Sequence, residues 1–131
     1  VDRPHDGVVR DNRVYFTTVN GSVVERDIRT GKVVTVFDLR INSDTAQTGW
    51  CRGLCIDGDY LYVGFTAIRK TKNINNLSFV TDAVGVLRDK LKDKYPARII
   101  KFNLRKERIE DQMRFKPSDI GVIFSILKAR S

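Results

Sequence analysis

Stretches of alternating apolar and polar residues run through residues 7–39, separated by turn residues. Three dipeptides mark the turns: Asp11-Asn12, Asn20-Gly21 and Thr30-Gly31. An Asn-Gly pair between alternating stretches is the strongest short signal of a hairpin, because both residues accept the positive φ of a type I′ turn. Strands are predicted over 13–19, 22–28 and 32–39, after a short apolar strand from Gly7. The pattern therefore predicts a four-stranded antiparallel meander.

The same order of strands and turns returns later in the chain. The string "GLCIDGDYLYVGF" matches "GVVRDNRVYFTTV", and "ARIIKFNLRKERIEDQMRF" matches "GSVVERDIRTGKVVTVFDL". A third copy begins at "DIGVIFSIL". Four-stranded units that recur every ~40–50 residues are typical of a β-propeller, in which each blade buries its faces against neighbouring blades.

We therefore predict an all-β chain that forms one partial β-propeller domain over 1–131. It contains about two four-stranded antiparallel blades, at about 5–40 and 50–116, and the inner strand of a third blade at 119–127. An insertion over about 67–96 interrupts the second blade. Apolar residues at helical spacing predict a short helix over about 82–93 inside this insertion.

Composition limits the class of protein. The chain has 131 residues, of which 41% are hydrophobic, enough for the core of one domain. The longest apolar run, "IGVIFSIL", has the length of a strand and is far shorter than the roughly 20 residues that cross a bilayer. We expect a soluble cytoplasmic protein without a membrane partner. The start "VDRPHDG" shows no initiator methionine or signal pattern, so we expect a piece of a longer polypeptide with further blades upstream.

The net charge of +8 raises the question of a polyanionic partner. Basic residues are dense over 86–116, but acidic residues are interleaved with them, as on an ordinary solvated surface. Aromatic residues that would stack on bases are not interspersed there. Nucleic acid is therefore not an expected partner.

The repeated string "VYFTTVNGSVVERDIRTGK" resembles the blades of quinoprotein-like and WD-like propellers, whose repeats pair a strand with a "D-x-x-T-G-K" turn. The strings "HDGVV", "GWCRGLCIDGDYLYVGF" and "VIFSIL" look like the closing blades of an uncharacterised group of bacterial six-bladed propellers. The resemblance covers nearly the whole chain outside the insertion and implies a C-terminal propeller fragment. It implies no particular activity, because propellers host many unrelated functions. The chain lacks the docking tryptophans of quinoprotein repeats, and no cofactor is expected.

Residues at the start of the inner strands are the candidates for a binding site, because these strands line the central channel of a propeller. The candidates at this channel mouth are His5, Asp6, Trp50, Cys51, Arg52 and Asp119. Arg52 would pair with an anionic group, Trp50 would offer a stacking face, and His5 or Asp6 would handle a proton. The alternative is that these residues only end strands in turns and that Trp50 fills the channel.

Other chemistry is poorly supported by the sequence. Cys51 and Cys55 would lie roughly 13 Å apart along a strand that rises about 3.3 Å per residue, too far for a disulfide. One such pair with a single histidine does not make a metal site. Two functions remain open: a scaffold that binds a small polar or anionic ligand or a protein partner, and part of a propeller enzyme. The enzyme would be a hydrolase or lyase acting on a carbohydrate or a similar small polar substrate.

Overall fold

The computed structural model describes residues 3–19, 21–39, 50–67, 96–116, 118–120 and 122–129. Within these residues the chain is all-β and forms two four-stranded antiparallel sheets without a helix. The first sheet, in the order β1-β2-β3-β4, consists of β1 (Pro4–Arg10), β2 (Arg13–Thr18), β3 (Ser22–Asp27) and β4 (Val33–Asp38). The second sheet, in the order β5-β6-β7-β8, consists of β5 (Cys51–Asp57), β6 (Tyr60–Phe65), β7 (Arg98–Asn103) and β8 (Arg108–Arg114). The two predicted meanders are confirmed.

Turn chemistry explains the strand boundaries of the first sheet. Asp11 and Asn12 connect β1 to β2 and have φ values of 48° and 60°, which two-residue hairpin turns of type I′ require. At the β3–β4 turn, Oδ1 of Asp27 accepts a hydrogen bond of 2.8 Å from the backbone N–H of Thr30. Gly31 then takes a φ of 66°, a conformation that glycine adopts without steric cost.

The hydrophobic core lies between the two sheets. The first sheet contributes Tyr15, Val23 and Phe37, and the larger share comes from the second sheet. The Phe37 and Phe102 rings meet across this interface with their centroids 5.3 Å apart. Each sheet therefore buries one face by packing against the other, as expected when neither can be stable alone.

The first strands of the two sheets, β1 and β5, lie next to each other and are joined at both ends. Near one end, Oδ2 of Asp6 accepts a hydrogen bond of 2.8 Å from the backbone N–H of Gly53. Near the other end, the Arg10 guanidinium donates to the carbonyl oxygen of Gly58. We call β1 and β5 the inner strands.

The 122–129 segment covers the face of the second sheet that points away from the first sheet. Ile123 approaches Gly64, Ile126 approaches Gly53, and Nζ of Lys128 lies 2.7 Å from Oδ1 of Asp57. The strand predicted over 119–127 is not observed in the described residues 118–120 and 122–129. The segment attaches through side chains to the face of a sheet, and a strand needs a neighbour that pairs with its backbone.

The helix predicted over 82–93 lies outside the described residues. Among the residues that are described, no helix is long and apolar enough to cross a membrane.

Candidate functional site

Both inner strands begin with an irregularity at the same end of the molecule. The register of β1 shifts between Pro4 and Gly7, and that of β5 shifts between Arg52 and Leu54. Gly53 at the second irregularity has a φ of 74°, which favours glycine. A β-bulge of this kind frees backbone groups and redirects side chains, and bulges are common beside binding sites.

Buried threonines hold the start of each inner strand in place. Oγ1 of Thr17 accepts a hydrogen bond of 3.2 Å from the N–H of Asp6, and Oγ1 of Thr66 accepts one of 3.3 Å from the N–H of Trp50. Both side chains are almost inaccessible to solvent. These threonines therefore satisfy backbone N–H groups where the inner strands begin.

Asp6 has a structural role in joining the two inner strands. Its Oδ2 bonds the Gly53 N–H, a group that the bulge in β5 leaves without a strand partner. Its own N–H is bonded by Thr17. One carboxylate oxygen of Asp6 is therefore engaged in joining the inner strands.

An arginine and three ring side chains come together beside this junction. The His5 and Trp50 rings have centroids 6.2 Å apart. The guanidinium carbon of Arg52 lies 5.0 Å from the centroid of the Trp50 ring and 5.7 Å from that of Phe124. Both distances fall within the ~6 Å range of a cation–π contact. We call His5, Trp50, Arg52 and Phe124 the Trp50 cluster. His5, Trp50 and Arg52 meet in this cluster, and Asp6 lies at the adjoining junction between the inner strands.

Arg52 is a cation without a carboxylate partner among the described residues. Its Nε is inaccessible to solvent and has no hydrogen-bond partner within the described residues. The two terminal nitrogens of the guanidinium are not buried without a partner in this way. The rings on either side are accessible, since Trp50 is 54% exposed and Phe124 is 65% exposed. The cluster thus presents one positive charge next to two exposed aromatic rings.

Cys51 does not belong to this surface. Its side chain is fully buried in the core between the sheets. Burial, followed by the nearby Asp6 carboxylate, raises the pKa of Cys51 to about 12, although Arg98 acts in the opposite direction. The thiol is therefore protonated at neutral pH and packs as a small apolar side chain.

Asp119 also lies apart from the Trp50 cluster. Its Oδ1 accepts a hydrogen bond of 2.8 Å from the Ser118 hydroxyl, and its N–H donates to the carbonyl oxygen of Lys116 at 2.9 Å. These contacts form a local exposed turn. Of the six residues proposed from the sequence, the structure brings together His5, Asp6, Trp50 and Arg52.

Phe124 is the member of the cluster that sequence reasoning missed. The string "VIFSIL" indicated only a buried strand, and strand alternation would place Ile123 and Ile126 on opposite faces. In the structure both contact the second sheet, and Phe124 extends toward Arg52. The signal that would have found it is the pair of glycines, Gly53 and Gly64, which leave room for an approaching segment.

Cys51 and Cys55 are free thiols. Within the described ranges, no group of three or more His, Cys, Asp or Glu side chains is arranged to hold a metal ion. Comparison with known proteins assigns no relatives to the chain, because no family model and no curated protein matches it.

Proposed function

We propose that the two sheets are neighbouring blades of a β-propeller that serves as a ligand-binding scaffold. Three features support this architecture: the sheets have the same strand order, their inner strands lie side by side, and the 122–129 segment covers the second sheet. The last arrangement is what the start of a following blade would produce. A cytoplasmic location belongs to the same proposal, since free thiols are typical of reducing compartments.

The observation that carries the binding role is the Arg52 guanidinium held between Trp50 and Phe124 without a carboxylate partner in the described part of the chain. Keeping a cation unpaired beside exposed rings is useful when a ligand supplies the opposite charge. The cluster lies where the inner strands begin, which is a common place for propeller ligands by analogy of fold.

The side chains next to His5 favour a binding role over a catalytic one. Proton transfer at His5, the only histidine in the chain, would be helped by a second acid or base nearby. Asp6 is engaged with the Gly53 N–H, and Cys51 is buried with a raised pKa. A hydrolase or lyase with His5 as acid or base and Arg52 as anion clamp is the competing function.

Trp50 is the only tryptophan in the chain, so its fluorescence reports directly on the cluster. The test is a titration of the protein with citrate, inorganic phosphate and glucose. We expect a saturable change in Trp50 emission with at least one of them and a weaker response after Arg52→Gln. A flat response to all three would contradict the binding role, and turnover of an ester or glycoside that requires His5 would favour the enzyme.

The first sheet supports a further part of the proposal. Its face away from the second sheet exposes the apolar side chains of Val9 (65%) and Val36 (56%). An additional blade of the same polypeptide would cover this face. Sedimentation of the 131-residue chain should show association that Val9→Lys combined with Val36→Lys reduces. A compact monomer with a cooperative unfolding transition would overturn this part.

A further inference from the structure

The Trp50 cluster has a combination of charge and shape that narrows the class of ligand. Its centre is the Arg52 guanidinium, and its two sides are the exposed rings of Trp50 and Phe124. A complementary molecule carries an anionic group next to a flat or apolar ring. The planar guanidinium fork can bind two oxygens of a carboxylate or of a phosphate, and a carboxylate is the one of the two that is itself planar and can lie in the plane of the fork.

The charges around Arg52 support the same conclusion. Asp6 is the acidic residue at the junction beside it, and one oxygen of Asp6 is bonded to the Gly53 N–H. Asp119 bonds within its own turn. His5 contacts Trp50 within the cluster and adds no negative charge. Neither carboxylate forms a salt bridge with Arg52 among the described residues, so the guanidinium is open to an incoming anion.

The accessible part of Arg52 determines how a ligand would bind. Nε is shut off from solvent, so the terminal nitrogens Nη1 and Nη2 are the donors available to a ligand. A carboxylate would be bound end-on by both terminal nitrogens, and the ring attached to it would lie against Trp50 or Phe124. Phe124 belongs to the 122–129 segment, so this segment forms one wall of the site.

From this geometry we infer that the Trp50 cluster binds a carboxylate carried on a ring, either an aromatic acid or a uronic acid sugar. The inference rests on the proposed ligand-binding function and specifies the ligand of that same site. Arg52 binds the carboxylate, Trp50 and Phe124 contact the ring, and Asp6 positions β5 without contacting the ligand.

The experiment compares charged and neutral ring compounds on the full chain by Trp50 fluorescence and calorimetry. The probes are benzoate with its neutral counterpart benzamide, and glucuronate with its neutral counterpart glucose. At least one carboxylate should bind roughly tenfold or more tightly than its counterpart, since a charge-assisted hydrogen bond contributes this much. Preference for benzoate or for glucuronate identifies the source of the carboxylate.

Variants at Arg52 separate the contribution of its positive charge from that of its planar guanidinium fork. Arg52→Gln should lower carboxylate affinity roughly tenfold or more, and Arg52→Lys should restore part of the loss because it keeps the charge but not the fork. Arg105→Gln is the matched control, because Arg105 is an exposed arginine at the turn between β7 and β8, at the opposite end of the sheet. Far-ultraviolet circular dichroism confirms that each variant is folded.

Two outcomes would overturn the inference, and they differ in what they say about the function. If neutral and charged rings bind equally and Arg52→Gln changes neither affinity, the carboxylate assignment is wrong and ligand binding at Trp50 still holds. If none of the four compounds binds or perturbs Trp50, the carboxylate assignment is wrong, and the titration with citrate, phosphate and glucose decides separately whether the site binds any ligand.

Discussion

The two sheets have the same strand register but are buried to different degrees. The pairs Arg10–Arg13 and Asp57–Tyr60 close the first hairpin of each sheet, so positions in β2 and β6 can be matched by counting from them. Val14 then corresponds to Leu61. Leu61 is completely buried against the first sheet, whereas Val14 is only half-buried on the face of its own sheet that points away from the second sheet.

The difference shows that burial in this fold depends on the neighbour and not on the strand itself. The second sheet is covered on one face by the first sheet and on the other by the 122–129 segment. The other face of the first sheet is unevenly exposed: Val24 is 2% exposed, whereas Val9 and Val36 on the same face are 65% and 56% exposed. Each sheet therefore carries apolar side chains on both of its faces.

The largest expected difference between the two sheets is in the free energy of unfolding that is lost when Leu61 and Val14 are each truncated to alanine. Leu61→Ala should lower the free energy of unfolding by about 2–5 kcal/mol, because a cavity remains in a closed core. Val14→Ala should cost about 1 kcal/mol or less, because the site is open to solvent. Urea denaturation measures both. Equal losses would mean that the outer face of the first sheet is covered in solution.

A smaller effect is expected where the 122–129 segment meets the second sheet. A Cβ on Gly64 would lie 2.4 Å from the carbonyl oxygen of Arg52 and 2.6 Å from Cγ2 of Ile123. Gly64→Ala should therefore destabilise the chain by roughly 1–3 kcal/mol and displace the segment. The matching position in the first sheet is Thr17, which has room for a side chain.

The control for this prediction is Gly31→Ala. No atom lies within 4 Å of a Cβ there, so the cost should be about 1 kcal/mol from the positive φ alone. Thermal denaturation compares the two variants. If Gly64→Ala is no worse than Gly31→Ala, the segment is not packed on the sheet as described.

Substitutions at Asp6, in the junction between the sheets, should lower the free energy of unfolding by less. Asp6→Ala removes the acceptor for the Gly53 N–H and should cost about 1–2 kcal/mol. Asp6→Asn keeps an oxygen in reach and should cost less. Chemical denaturation of both variants checks the order, and an equal loss would show that the carboxylate charge, and not the hydrogen bond, stabilises the junction.

The smallest expected effect is a difference in reactivity between two thiols on opposite faces of β5, and it involves no change in stability. Because the pKa of Cys51 is raised to about 12, its thiol stays protonated below that pH and should resist alkylation. Cys55 lies on the other face and is partly exposed, so iodoacetamide at about pH 8 should label it first. Mass spectrometry of native and denatured protein measures this. Rapid labelling of Cys51 in the native state would place it outside the core.

Local signals in the sequence were sufficient for the sheets. Asp11-Asn12 and Thr30-Gly31 specify turns through backbone conformations that few residues accept, and these turns lie where predicted. The repeat also predicted that His5, Trp50 and Arg52 would meet. It also placed Cys51 at the channel mouth because Cys51 opens an inner strand, but its side chain is buried in the core, since position at the start of a strand does not determine which face a side chain takes.

Contacts without a repeating pattern were beyond prediction. Phe124 reaches Arg52 from a segment that has no strand pairing, so neither alternation nor turn chemistry specifies its direction. The use of Asp6 as a hydrogen-bond acceptor for Gly53 depends on how two distant units meet. Such contacts are determined by tertiary packing.

Joining the inner strands at both ends has a consequence for recognition. The Asp6 carboxylate holds β5 near its beginning, and the Arg10 guanidinium holds the following turn at Gly58. Hinge bending between the sheets would have to break at least one of these bonds, so under the proposed binding function we expect the spacing between His5 and Trp50 to change little when a ligand binds. Such a preorganised site loses little conformational entropy on association and rejects molecules of the wrong width.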